Sequence, residues 1–148
     1  MMTESTVEIE APASLVWDVF VDVERWPDWT TSVERIVPLD GPGIEIGNRF
    51  EIKQPRVPKL VWEVTEVEPG TSWTWRQRSP GGTTFASHNV IASETGTTPV
   101  RQRIDQRGPV GVTLGLLTRR LTRRYLDLEA RGLKARSEQR WHHDAPSA

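Results

Sequence analysis

At 148 residues the chain suits one domain, with a core large enough to leave room for an internal cavity. Its 19 Lys and Arg against 20 Asp and Glu leave a net charge of -1, so no global positive field draws it to nucleic acid. The absence of cysteine excludes disulfides, Cys-based metal sites and a Cys nucleophile, and the three histidines (His88 and the pair His142 and His143) show no metal-ligand spacing.

In chain order, residues 4–10 alternate with Val7 and Ile9 on one face, which predicts a strand. Pro12 ends it and suits the first turn of a helix, which the spacing of Leu15, Val16, Val19 and Phe20 carries to Val21. A second short helix spans Glu24 to Trp29, broken near Pro27. Seven tryptophans against one tyrosine and three phenylalanines are more than a core of this size needs. The cluster Arg25-Trp-Pro-Asp-Trp29 points to an apolar cavity that these rings close. Strands are expected at Val33–Leu39, Arg49–Gln54, Leu60–Glu68, Trp73–Gln77, Thr83–Glu94 and Val100–Arg107, separated by Gly- and Pro-bearing turns, as in an antiparallel meander.

After Gly108 the period changes. Leu114, Leu117, Leu121, Leu128 and Ala135 recur at helical spacing, with Tyr125 and Gly132 in the same stripe, which predicts a long amphipathic helix over 112–138. Residues 1–140 form the expected single domain, and residues 141–148 a flexible tail. No apolar run reaches the roughly 18 residues needed to span a bilayer, and the start lacks the basic and apolar regions of a signal peptide. The expectation is a cytoplasmic protein without stable membrane insertion. The predicted class is α+β: a curved antiparallel sheet wrapped around a long C-terminal helix, with two short helices after the first strand.

Several segments carry a resemblance. They are Val7-x-Ile9-x-Ala11-Pro12-Ala13-x-x-Val16-Trp17, Arg25-Trp26-Pro27-x-Trp29, Gly47-x-x-Phe50, Trp62-x-Val64-Thr-Glu-Val67-x-Pro69-Gly70 and Trp73-x-Trp75. Gly81 leading to His88, Gly96-Thr97, and Leu121 through Glu129 to Lys134 follow. In this order they resemble the START-like (SRPBCC, helix-grip) superfamily, in its polyketide cyclase/dehydrase and lipid-transport branch, over residues 7 to about 138. The resemblance implies a deep, mainly apolar pocket between sheet and long helix for a hydrophobic small molecule. In cyclase relatives a few polar side chains position a polyketide for aldol closure or loss of water. Relatives include enzymes, carriers and receptors, so no catalytic motif transfers with the fold.

Candidate site residues therefore come from alternation. Trp73, Trp75 and Gln77 share one side of their strand and either line the pocket or fill the core. Gln102 and Gln106 put two amides on the face of Val100 and Ile104, where a wet cavity would satisfy them unless they reach solvent at the sheet's ends. Phe50 and Gln54 continue one face toward the pocket mouth, and Leu117 and Leu121 supply the helix wall. His88, beside Ala86 and Val90, is either a general base or a structural histidine. Tyr125, on the helix stripe, either hydrogen-bonds a ligand carbonyl or belongs to the core. Glu129 and Arg136 read as surface ion-pair formers, and Arg119, Arg120, Arg123 and Arg124 as a solvated face or a dock for an acyl carrier protein. Contact with a membrane surface through that helix lacks aromatic anchors. Neither a metal nor a cofactor is expected, and a homodimer is a candidate assembly. Two functions follow: a cofactor-independent polyketide cyclase or dehydratase, or a non-catalytic carrier or sensor of a lipid or apolar metabolite.

Overall fold

Alternation of burial along Met2–Ile9 makes the first strand, β1, and the proline at residue 12 directs the chain into α1 (Ala13–Val21), which buries Val16, Val19 and Phe20. A 3₁₀ turn follows at Val23–Asp28, with Pro27 inside it and Trp26 buried. The structure is a computed structural model that describes residues 1–144. After the turn the chain enters β2 (Arg35–Pro38), then β3 (Arg49–Lys53), β4 (Leu60–Glu68), β5 (Ser72–Ser79), β6 (Gly82–Val90) and β7 (Thr98–Arg107). All neighbouring strands pair antiparallel in one seven-stranded sheet ordered β1-β7-β6-β5-β4-β3-β2. The segment from α1 to the 3₁₀ turn thus crosses the concave face from one edge strand to the other. A register shift between Val64 and Glu66 marks a bulge in the middle of the sheet, a device that bends a strand and deepens curvature.

One end of the concave face is filled by aromatic rings. The Trp26 indole N–H donates to the Phe20 carbonyl at 2.9 Å and its ring stacks on Phe20 at 5.8 Å. Trp73 meets Phe20 edge-on at 4.8 Å and lies nearly parallel to His88 at 4.0 Å. Offset and T-shaped contacts of this kind add to the area these rings bury.

The C-terminal part differs from the predicted single helix. It is two helices, α2 (Pro109–Leu117) and α3 (Arg119–Asp144). Gly108 holds φ +86°, which a side chain rarely adopts, and Pro109 starts α2. At Thr118 the backbone leaves helical geometry, and its hydroxyl donates to the Leu114 carbonyl at 2.7 Å. The interruption breaks the predicted stripe. Leu114 and Leu117 face solvent and Ala135 is exposed, while α3 buries Leu126, Ala130, Leu133 and Ser137 instead. Its helical course also takes in Trp141–Asp144, predicted as tail, while residues 145–148 lie outside the described ones. No helix among the described residues is long and apolar enough to cross a membrane.

Gly132 lets α3 approach the 3₁₀ turn. A Cβ there would collide with the Trp29 carbonyl oxygen and come within 2.9 Å of the Trp29 indole. Alanine normally stabilises a helix interior relative to glycine by up to ~1 kcal/mol. Here the sign should reverse: Gly132→Ala should lose about 1–3 kcal/mol, the usual range for overpacking. Urea unfolding of the two proteins measures it, and equal or greater stability of the variant would mean that α3 is not seated on Trp29.

Candidate ligand cavity

Beyond the aromatic block, the concave face is not filled. A cavity of about 420 Å³ lies between β4–β7, the β3–β4 connection and the helices α2 and α3. That volume is in the range that accommodates a drug-sized molecule. Trp26, Trp62, Trp75, Ile52, Leu60 and Leu126 give it an apolar lining. Period-two alternation carries Gln77 on β5, His88 on β6 and Gln102, Ile104 and Gln106 on β7 onto the same lining. Gln54 enters from the β3–β4 connection, and Leu121, Tyr125 and Glu129 from successive turns of α3.

Most of the sequence-predicted residues therefore meet in one space, and four do not. Trp73 and Phe50 are fully buried and lie off the cavity, as does Val100, because α1 and the 3₁₀ turn cover that part of the sheet. Leu117 is 78% exposed on the far side of α2. Alternation selects a face of a strand, and the crossing helix decides which residues on that face stay dry.

The site's one buried carboxyl was not among the predicted residues. Glu129, read from sequence as a surface ion-pair former, is buried in the cavity wall. Its Oε2 accepts from the Gln102 side-chain amide at 2.9 Å, and its Oε1 from the Ser32 hydroxyl at 3.1 Å. Ser32 lies 2.8 Å from the Thr30 hydroxyl, and its backbone N–H donates to Thr30 at 3.2 Å. With Ser32 donating to the carboxylate, Thr30 donates to Ser32, so three hydroxyl and carboxyl groups form one directed chain. No cation is among these partners. Burial raises the Glu129 carboxyl from 4.5 to about 7, against the lowering effect of the two hydrogen bonds. A clue lay in the sequence: Glu129 stands one helical turn after Tyr125 and one before Leu133, a carboxylate on the apolar side.

His88 is enclosed by Phe20, Trp26, Trp73 and Trp75. Its Nδ1 lies 3.2 Å from the Trp73 carbonyl, which only accepts, so the proton sits on Nδ1 and Nε2 is left as an acceptor. Burial lowers its pKa to about 3, the carbonyl contact opposing. The ring is neutral at physiological pH and a feeble base. That disfavours the sequence expectation of His88 as general base. Tyr125 is buried with a hydroxyl that has no protein partner, and burial raises its pKa while nearby Arg56 opposes the shift. The Gln106 side-chain oxygen is also buried and unpartnered, whereas the Gln77 amide donates to the Arg78 carbonyl at 2.8 Å and to the Ser79 hydroxyl at 2.5 Å. Unpaired polar atoms in a cavity are costly unless water or a ligand meets them.

A curved antiparallel sheet gripping a C-terminal helix around an apolar cavity defines a helix-grip, START-like ligand-binding protein. The profile of the family described as "Polyketide cyclase / dehydrase and lipid transport" matches residues 2–138, and the chain belongs to that family. Solved structures repeat the fold. The Zhui aromatase/cyclase from Streptomyces sp. R1128 superposes with a TM-score of 0.77 at 17% identity, covering 95% of this chain and 94% of that one. A START superfamily protein from Mycobacterium smegmatis gives 0.72 at 18% identity, covering 93% and 97%. A hypothetical protein from Helicobacter pylori gives 0.80 at 15% identity, covering 93% and 88%. At these identities the likeness is one of fold. A search of curated proteins returned no match.

The Glu129 carboxyl couples stability to pH. Its folded pKa, about 7, is raised above the ordinary 4.5. The folded protein therefore keeps a proton that the unfolded chain has released, and this stabilisation is complete below the unfolded value and lost as pH rises through about 7. Glu129→Gln mimics the protonated acid and does not titrate. From about pH 5 to about pH 8, the stability difference should move in the variant's favour by roughly 2–3 kcal/mol. Denaturant titrations at both pH values test it, and a pH-independent difference would show that Glu129 titrates normally.

Proposed function

We propose that the protein binds a polyketide-like aromatic or pre-aromatic molecule bearing hydroxyl and carbonyl groups, and promotes its aldol closure or dehydration without a cofactor. The observation that carries this reading is the buried Glu129 carboxyl, near neutrality in pKa and one turn from the unpartnered Tyr125 hydroxyl, in an otherwise tryptophan-lined cavity. A purely apolar lipid chain would leave the Tyr125 and Gln106 atoms unsatisfied, and a hydroxylated ligand would pair them. Family membership and the aromatase/cyclase fold likeness agree with this substrate class.

In this mechanism the Tyr125 hydroxyl donates a hydrogen bond to a ligand carbonyl and stabilises negative charge developing on its oxygen. The Glu129 carboxylate takes a proton from the carbon beside that carbonyl. The enolate so formed attacks a second carbonyl of the same molecule, and Glu129, now protonated, returns its proton to the new alkoxide. For loss of water the regenerated carboxylate takes the remaining proton from the same carbon and passes it to the departing hydroxyl, which leaves as water while the C=C bond forms. A pKa near neutrality suits a group that must act in both directions. The aromatic walls contribute by holding the chain folded with its reacting carbons close. His88, neutral and with Nε2 as an acceptor, receives a ligand hydroxyl and fixes its orientation.

Binding and chemistry separate experimentally. A hydroxylated anthraquinone should quench tryptophan emission saturably, because Trp26, Trp62 and Trp75 line the cavity. With a linear poly-β-ketone thioester as substrate, Glu129→Gln and Tyr125→Phe should each slow cyclisation by about 10²–10⁴-fold and leave quinone affinity within a few fold. Loss of affinity with unchanged turnover, or no turnover by the parent protein, would make the protein a carrier. Absence of saturable quenching would dismiss the ligand class itself.

A further inference from the structure

Helix α2 is built inside out. Pro109–Leu117 contains no charged residue, and its buried positions are Gly111 and Gly115. Gly111 lies against Gly82, where a Cβ would come within 3.5 Å, and Gly115 against the Gln106 side chain. The large residues point the other way: Leu116 is 63% exposed and Leu117 78%, with Val110, Val112 and Leu114 also exposed. A helix at the surface of a soluble domain ordinarily buries its large apolar side and shows polar residues to water. Here the small side is buried and the large one faces outward, an arrangement that leaves a contiguous apolar ridge without a partner.

Charge completes the picture. Directly after the break at Thr118, the first turns of α3 expose Arg119, Arg120, Arg123 and Arg124, and none of them lies within ion-pair distance of a carboxylate among the described residues. The same segment borders the cavity, because Leu114, Thr118, Leu121 and Thr122 contribute to its lining. The opening is marked by the lining residues that are also exposed: Leu114 on this side, Arg56 and Pro58 from the β3–β4 connection on the other, and Ser79 at the end of β5.

We propose that α2 and the arginine-bearing start of α3 form a docking surface for an anionic phospholipid bilayer, so that ligand passes between the membrane and the cavity without crossing water. The segment has no aromatic anchors, which from sequence counted against membrane contact; the structure turns the leucines and valines of α2 outward in their place, so that they enter the boundary between headgroups and acyl chains while the arginines lie at the phosphate level. Charge complementarity selects the bilayer over other occupants. An acidic carrier protein would match the arginines and leave the leucine ridge in water, whereas an anionic bilayer satisfies both. The route for the ligand rests on the binding function proposed above, while the docking itself does not.

Flotation of the full chain with phosphatidylcholine vesicles, with and without phosphatidylserine, tests the docking. Binding should appear with phosphatidylserine and weaken as salt increases. Arg120→Gln combined with Arg123→Gln should reduce it at least about tenfold, an effect that salt mimics. Leu116→Ser combined with Leu117→Ser should reduce it comparably at every salt concentration. These side chains are exposed, so both variants should keep the parent's unfolding midpoint and its anthraquinone affinity in vesicle-free solution. Failure of quinone binding would thus count against the cavity function, and failure of flotation against the docking surface. The proposal is overturned if the parent does not float with anionic vesicles, or if the leucine variant floats as the parent does. It is also overturned if the leucine substitutions only convert a dimer into a monomer, which would make α2 the interface between two copies, or if only an acidic carrier protein binds.

Discussion

The position of Trp26 controls how the concave face is divided. Its indole is pinned to the Phe20 carbonyl and stacks on the Phe20 ring, and its other surface belongs to the cavity wall. On one side of it lie Phe20 and Trp73, packed as dry core, with the His88 ring stacked on Trp73 at the cavity's edge. On the other side nothing of comparable size comes from the helices, because α2 presents glycines to the sheet and α3 presents Tyr125 and Glu129. A seven-stranded curved sheet has more concave surface than one helix can cover. The crossing segment from α1 to the 3₁₀ turn fills one end of it, and the remainder stays open as the cavity.

This division sets the chemistry of both titratable groups. His88 stands against the aromatic block, and its depressed pKa follows from having a ring and a backbone carbonyl as neighbours and no carboxylate. Glu129 faces the opposite problem. A buried carboxylate with no cation is expensive to ionise, and its hydrogen-bonded partners lessen that cost without removing it. Those partners come from β7 through Gln102 and from the segment after the 3₁₀ turn through Ser32 and Thr30. The carboxyl therefore joins helix, sheet and crossing segment at one point. A well-packed apolar residue would join them with less electrostatic cost, which favours a functional over a structural reason for the acid.

Much of the fold was legible because it rests on local rules. Pro12 and the apolar spacing after it place α1, and the alternation of β4 places both of its ends as observed, from Leu60 to Glu68. Cavity walls were harder to read. Trp73 and Trp75 are equivalent by alternation, yet one is core and the other faces the cavity, since that difference depends on where Trp26 crosses the sheet. Glu129 was misread for a related reason. The helical stripe was anchored on Leu114 and Leu117, which belong to a separate helix beyond the break at Thr118, so the register carried into α3 was wrong. Within the predicted stripe Leu121 and Tyr125 hold the true register, and counting one turn onward from them reaches Glu129.

The break at Thr118 also reconciles two features that conflict within a single amphipathic helix. Continued through that point, one helix would have to bury Leu114 and Leu117 with the same face that carries Tyr125. At the sheet end α2 instead turns its small side inward, with Gly111 against Gly82 and Gly115 against the Gln106 side chain, and a Cβ on Gly82 would meet the Gly111 backbone at 2.8 Å. Separating α2 from α3 lets the glycines seat against the sheet end while α3 keeps its own buried side of Leu126, Ala130 and Leu133. The large residues of α2 are then displaced outward beside the cavity opening. The cavity and the exposed apolar ridge thus have one origin: the helix that borders the sheet's open end is seated through glycines, which neither fill the space beneath it nor shield its leucines from solvent.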